Sequence, residues 1–178
     1  MSKKNNFVFI GLQIIAWIIF VGLCIEAGGL IVNFFFSLYK PEFVQNLYQK
    51  LDLSVMYKTS KWAFFSIYSF ILVISILKAV LFYVVIILVS KIDLSKPFNN
   101  FVSNQILHIS YYTFSIGLIS YIGQNSYENL KHRDLITENL DPFWADSQAF
   151  ILMAAVVYII AIIFKKGIEI QNENDLTV

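Results

Sequence analysis

Four polar side chains set inside long apolar runs are the residues of this chain best suited to chemistry: Lys78, Glu26, His108 and Asn104. Lys78 lies near the middle of the run 62–89, where an uncompensated ammonium costs roughly 2.5–3.5 kcal/mol on membrane-insertion scales. Such a lysine calls for a carboxylate partner, a water-filled cavity or a role in moving a proton or ligand. Glu26 supplies a carboxylate in the first apolar run. Counted at about 1.5 Å per residue from the inner span ends, it falls roughly 10 Å from Lys78 in depth. Direct pairing is one expectation; the other puts Glu26 near the outer interface and gives Lys78 a different partner.

The third apolar run offers that partner, because Asn104, His108, Tyr111, Tyr112 and Ser115 recur at three- and four-residue steps along one side of a helix. By the same rise His108 comes level with Lys78. A polar cluster between spans two and three is therefore expected, orienting the helices by hydrogen bonds or carrying a proton or ligand. Two copies of the chain could also assemble it between them.

The elements that must hold these groups follow from composition. The chain has 178 residues and is 58% hydrophobic, against about 45–50% apolar for soluble domains, so a single membrane domain is the economical reading. About 20 helical residues cross a hydrocarbon core of roughly 30 Å, and the apolar runs place spans at 7–36, 62–89, 102–121 and 148–164. Backbone groups left unpaired in lipid are costly and no strand-length alternation is present, so the expected fold class is all-α: a polytopic membrane protein with four transmembrane helices. Lys3 and Lys4 precede an apolar run in the manner of a signal peptide, but Leu23 is too large to precede a cut at Cys24. The apolar stretch also continues to Phe36, which favours an uncleaved first span.

The positive charges divide evenly between the two sides of this topology. Lys3, Lys4, Lys91, Lys96, Lys165 and Lys166 hug the span ends, whereas Lys40, Lys50, Lys58, Lys61, Lys131 and Arg133 spread over longer loops. Short flanks weigh most in the positive-inside rule, so both termini are expected in the cytoplasm. Between spans one and two, Phe43, Leu47, Leu51 and Val55 recur every fourth residue beside Val44 and Tyr48, an amphipathic outer segment expected to lie on the outer leaflet. The second outer segment, 124–147, is polar. Within it Pro142 suits a turn or helix start, and Trp144 suits the membrane interface. In the first span Gly22, Glu26, Gly29 and Asn33, extended by Gly11, share one helical face and predict a close-packing stripe. Ala154, Tyr158 and Ala161 predict another in the fourth.

Several function classes lack support in the sequence. Lys plus Arg number 13 and Asp plus Glu 12, so no basic surface points to direct nucleic-acid binding. One cysteine, Cys24, allows no internal disulfide or multi-cysteine metal site. No phosphate-binding glycine loop, paired metal-binding histidines or nucleophile elbow occurs. Glu138, Asp141 and Asp146 read as a solvated loop, so no enzyme, catalytic residue, metal or cofactor is expected.

The segment Lys91-Ile92-Asp93-Leu94-Ser95-Lys96-Pro97-Phe98, preceded by Leu77-Lys78-Ala79, and the ending that runs from Phe164-Lys165-Lys166 to Leu176-Thr177-Val178 resemble a family. It is a group of small four-span bacterial membrane proteins catalogued as a domain of unknown function. The likeness covers spans two to four and the tail, and matches the first span and outer loop in outline. The resemblance implies an inner-membrane protein encoded beside a small helix-turn-helix regulator, and hence a membrane partner for a transcription factor. In the cytoplasmic tail, 165–178, Ile168, Ile170, Leu176 and Val178 are then the candidate docking anchors. The expected function is a sensor or membrane anchor for that regulator. The alternative is a small transporter or transporter subunit whose polar route is lined by Lys78, Glu26, His108 and Asn104.

Overall fold

Apolar runs of this length leave one economical way to satisfy the backbone in lipid, and the chain adopts it. The computed structural model describes residues 3–40, 42, 44, 47, 53–93, 97–133, 136 and 139–175. Its elements are α1 (Lys3–Tyr39), a short α2 (Ser54–Thr59), α3 (Lys61–Lys91), α4 (Asn100–Lys131), a 3-10 turn at Asp141–Phe143 and α5 (Ser147–Asp175). No strand occurs among the described residues. Four helices, α1, α3, α4 and α5, are long and apolar enough to cross a bilayer, and the chain is a multi-pass membrane protein.

Local chemistry sets where these helices start. Ser60 is extended and its Oγ accepts the Ala63 N–H, which opens α3. Asn99 does the same for α4, its Oδ1 accepting the Val102 N–H at 2.9 Å. Asp146 Oδ1 accepts the Ala149 N–H at the head of α5. Pro142 sits at the start of the 3-10 turn, as expected of a residue without an N–H to donate.

All four long helices outrun their predicted spans, two of them by about ten residues. α4 continues past Tyr121 to Lys131, so the outer segment predicted from residue 124 begins as helix. The extra turns are amphipathic: Gly123, Tyr127 and Leu130 face inward while Gln124, Asn125 and Asn129 are exposed. α5 continues past Phe164 through most of the predicted tail, to Asp175, with Lys166 donating to Glu169 on its exposed side.

The long helices pack in chain order, α1 on α3, α3 on α4 and α4 on α5, with the remaining pairs of long helices in marginal contact at most. α4 meets α5 through a seam of small residues. Ser103, Ser110 and Gly117 recur every seventh residue and face Ser147, Ala154, Ala161 and Ile168, which do the same. Ser110 Oγ donates to the Ala154 carbonyl at 2.9 Å, and Ser103 Oγ to that of Ala161 at 3.5 Å. Val102, Ile116, Ser120, Gly123 and Tyr127 form a second buried row, turned toward α3. The two rows differ by one residue, or about 100° of helix rotation, so α5 does not extend the row of α1, α3 and α4 but turns off it at a right angle. Of the predicted α5 stripe, Ala154 and Ala161 lie in the seam and Tyr158 is exposed.

The helix ends joined by the 40–60 and 132–146 segments are closed by an apolar cap. Val44, Leu47, Leu53, Met56, Ile136, Leu140 and Phe143 bury against Phe64, Ile67, Tyr68 and Ile71. The predicted leaflet-lying segment is corrected here: Val44 and Leu47 turn into the protein, because Phe64 and Tyr68 would otherwise meet the loop end uncovered. Val55, predicted on the same apolar face, is exposed, and Phe43, Tyr48 and Leu51 lie outside the described residues. Trp144 is likewise internal, 6.2 Å from the Tyr127 ring and against Gly123, not an interface anchor.

Candidate functional site

α1 positions Glu26, on a face other than the one the helix turns to α3. Its contact row is Ala16, Phe20, Leu23, Ala27, Leu30, Phe34 and Ser37, alternating four- and three-residue steps against α3. Phe20 lies 5.8 Å from Tyr83, Phe34 stacks on Tyr68 at 5.7 Å, and the Tyr68 hydroxyl donates to the Leu30 carbonyl at 3.0 Å. At the far end Gln13 Nε2 donates to Ser90 Oγ at 3.0 Å. The predicted stripe of Gly22, Glu26, Gly29 and Asn33 has the same spacing one residue earlier, and so faces about 100° away from α3. A Cβ placed on Gly11 or Gly22 would meet nothing within 4 Å, so at these positions the predicted stripe packs closely on no helix of the same chain.

The α1–α3 contacts also fix depth. With Phe34 beside Tyr68, Phe20 beside Tyr83 and Gln13 at Ser90, Lys78 comes level with Cys24 and Ile25. Glu26 then lies about one or two residues from it, roughly 2–3 Å along the axis. The 10 Å separation expected from the sequence is too large because the span ends used to count it do not coincide. Level does not bring contact. Glu26 and Lys78 are both half-buried, and neither has a hydrogen-bond or ion-pair partner among the described residues. At similar depth, but lined by neither charge, an apolar cleft of about 500 Å³ lies between α1 and α3, bordered by Phe20, Cys24, Ala27, Ile76, Ala79 and Tyr83.

The expected cluster between spans two and three does not form. Phe70 packs at Gly123, and Lys91 Nζ lies 5.9 Å from the Phe101 ring centre. That antiparallel register sets Lys78 beside the Ser115 turn and leaves His108 about seven residues, or roughly 10 Å, nearer the terminal end. Asn104 and His108 are exposed, on the side of α4 that touches neither α3 nor α5, while Tyr111, also exposed, lines a groove of about 400 Å³ between α4 and α5; Ser115 Oγ donates back to the Tyr111 carbonyl. Other polar groups sit inside instead, and of these sequence reasoning passes over Ser75 and Ser120. Ser75 and Ser120 hydroxyls and the Trp144 indole N–H are buried without a partner among the described residues. Isolated serines in apolar runs gave no spacing signal for them.

Two further features bear on ligands and partners. At the loop end a polar pocket of about 400 Å³ opens between α4, the 3-10 turn and α5, lined by Gln124, Asp141, Trp144, Asp146 and Gln148. At the other end Ile168 is 9% exposed, in the α4–α5 seam, whereas Ile170 is 58% exposed; Leu176 and Val178 lie outside the described residues. No trio of histidine, cysteine, aspartate or glutamate side chains is placed to hold a metal ion among the described residues. Compared with family models, curated proteins and solved structures, the chain matches none.

Proposed function

We propose that the chain is a non-enzymatic bacterial inner-membrane protein with both termini in the cytoplasm, acting as sensor or membrane anchor for a small helix-turn-helix regulator. The continuation of α5 supports this reading. The helix does not end with its apolar run but reaches Asp175, and it carries Ile170, Gln171, Asn172 and Glu173 exposed beyond the seam. An exposed isoleucine on a polar helical extension is an anchor for a partner's apolar groove. The polar pocket at Gln124, Asp141 and Asp146 offers hydrogen-bond acceptors and amide donors to a stimulus at the opposite end. Signalling between the two requires that the stimulus bind two arrangements of the helices with different affinity, since equal affinity shifts no population.

The transport alternative draws less support, because Glu26 and Lys78 lie on one side of the row while Asn104 and His108 lie on the outer face of α4. The test is a pull-down from native membranes through an N-terminal tag, comparing the full chain with one lacking residues 169–178. Recovery of a small DNA-binding protein by the full chain alone is expected. Equal recovery by both chains removes α5 as the docking element, and recovery of transport components in its place favours the alternative.

A further inference from the structure

Two opposite charges stand at matching depth in the membrane-spanning part of the chain without meeting each other. Glu26 is one residue back from Ala27 in the row that α1 turns to α3, and α5 is one residue on from the α3 row of α4, Ile116 to Gly117. α1 and α4 run in the same direction and touch α3 from opposite sides. A step back on α1 and a step forward on α4 therefore lead to the same side of the row. Lys78 follows Phe70 and Ile74 at four-residue steps and leans to that side too. Glu26, Lys78 and α5 thus border one corner, walled by α3, α4 and α5.

The corner has the dimensions of a helix. α3 and α5 pack on α4 about 100° apart at ordinary interhelical distances of about 8–10 Å, which leaves them roughly 14 Å from each other and open to a fourth helix. α1 is the least covered span, with 6% of its apolar window buried, and Gly22 on its Glu26 face has open space above it.

We infer that the chain forms a two-fold dimer in which α1 of each copy enters the corner of the other and pairs its Glu26 with Lys78 of the partner subunit. A two-fold axis along the membrane normal keeps every residue at its own depth, so cross-pairing demands that Glu26 and Lys78 be level, which they are to about one helical turn. The same operation makes the pair twice and neutralises all four charges. The charge complementarity selects a second copy over a lipid chain, which offers neither sign in the hydrocarbon core.

The experiment uses the full chain in lipid nanodiscs and in mild detergent, with two tags. The wild type is expected to co-purify with itself. Glu26→Lys and Lys78→Glu are each expected to lose self-association by about tenfold or more. Co-expressed with each other, those two variants are expected to pair, because both contacts in the mixed dimer are again opposite in charge; a pair formed within one chain gives no such rescue. Glu26→Gln and Lys78→Met, with helical content followed by circular dichroism, separate lost association from lost folding and are expected to weaken the dimer while keeping the helices. A monomeric wild type overturns the inference and leaves the corner to lipid or another protein. Self-association indifferent to all four substitutions, or no mixed pairing, overturns it as well. None of these outcomes depends on what α5 holds.

Discussion

The α4–α5 contact and the α1–α3 contact join helices of similar length, yet they are built oppositely. In the first, backbones approach through glycine, serine and alanine at seven-residue intervals, and a Cβ on Gly117 would lie 2.8 Å from Ile151 Cγ1 and 3.0 Å from its backbone nitrogen. In the second, Phe20, Phe34, Phe65, Tyr68 and Tyr83 hold the helices at ring-contact distance. Lipid tails are as apolar as leucine, so helices gain little from burying apolar area against each other and depend on close packing and hydrogen bonds. The small-residue seam makes full use of both, whereas the aromatic seam keeps its helices at ring distance and is hydrogen-bonded toward its two ends, by Tyr68 to Leu30 and by Gln13 to Ser90. α5 is accordingly fixed, and α1 is the span with freedom to change partners.

That contrast can be broken or sharpened by substitution, reading thermal or denaturant unfolding in one detergent throughout. Gly117→Val should cost the most, about 3 kcal/mol or more, because its side chain meets helix backbone that cannot yield. Gly123→Ala comes next at about 1–3 kcal/mol, its Cβ being 2.6 Å from the Trp144 ring and 3.2 Å from Phe70. Tyr68→Phe should cost about 1 kcal/mol, the value of a buried hydroxyl bond to the Leu30 carbonyl. Ser110→Ala should cost about 0.6 kcal/mol, the average for interhelical hydrogen bonds in membranes. In the dissociated single chain Gly22→Ala should be neutral or raise stability by about 0.5 kcal/mol, since it adds helix propensity in open space. If Gly22→Ala proves as damaging as Gly117→Val in the assembled protein, α1 is packed against something outside this chain, and the dimer is the first explanation to examine.

The spans were legible because twenty apolar residues have few alternatives in water or lipid. Their extensions were harder to see: the turns beyond Tyr121 and Phe164 leave the apolar run, and only the inward Tyr127 and Leu130 mark the first as continuing helix. The glycine stripe on α1 failed for a different reason. Four- and three-residue spacing identifies a face but not its direction, and Gly22–Glu26–Gly29–Asn33 and Leu23–Ala27–Leu30–Phe34 obey it equally. What decides between them is the aromatic residues of α3, which run in the opposite direction elsewhere in the sequence. The polar row Asn104–His108–Tyr111–Ser115 was recognised as one face, yet its neighbour was misassigned, because the serine and glycine row of α4 competes for the same helix and packs more closely.

The order in which the helices touch has a consequence for how the protein is made. Each long helix rests on the one synthesised just before it, so a span leaving the translocation machinery finds its neighbour already in the bilayer and requires nothing that has yet to be translated. The cap is the exception: Val44, Leu47 and Leu53 wait for Ile136, Leu140 and Phe143, which emerge only after α4. Biogenesis would then proceed by stepwise lateral addition and finish with one late, long-range closure at the loop end, making the 139–146 segment the latch of the assembly.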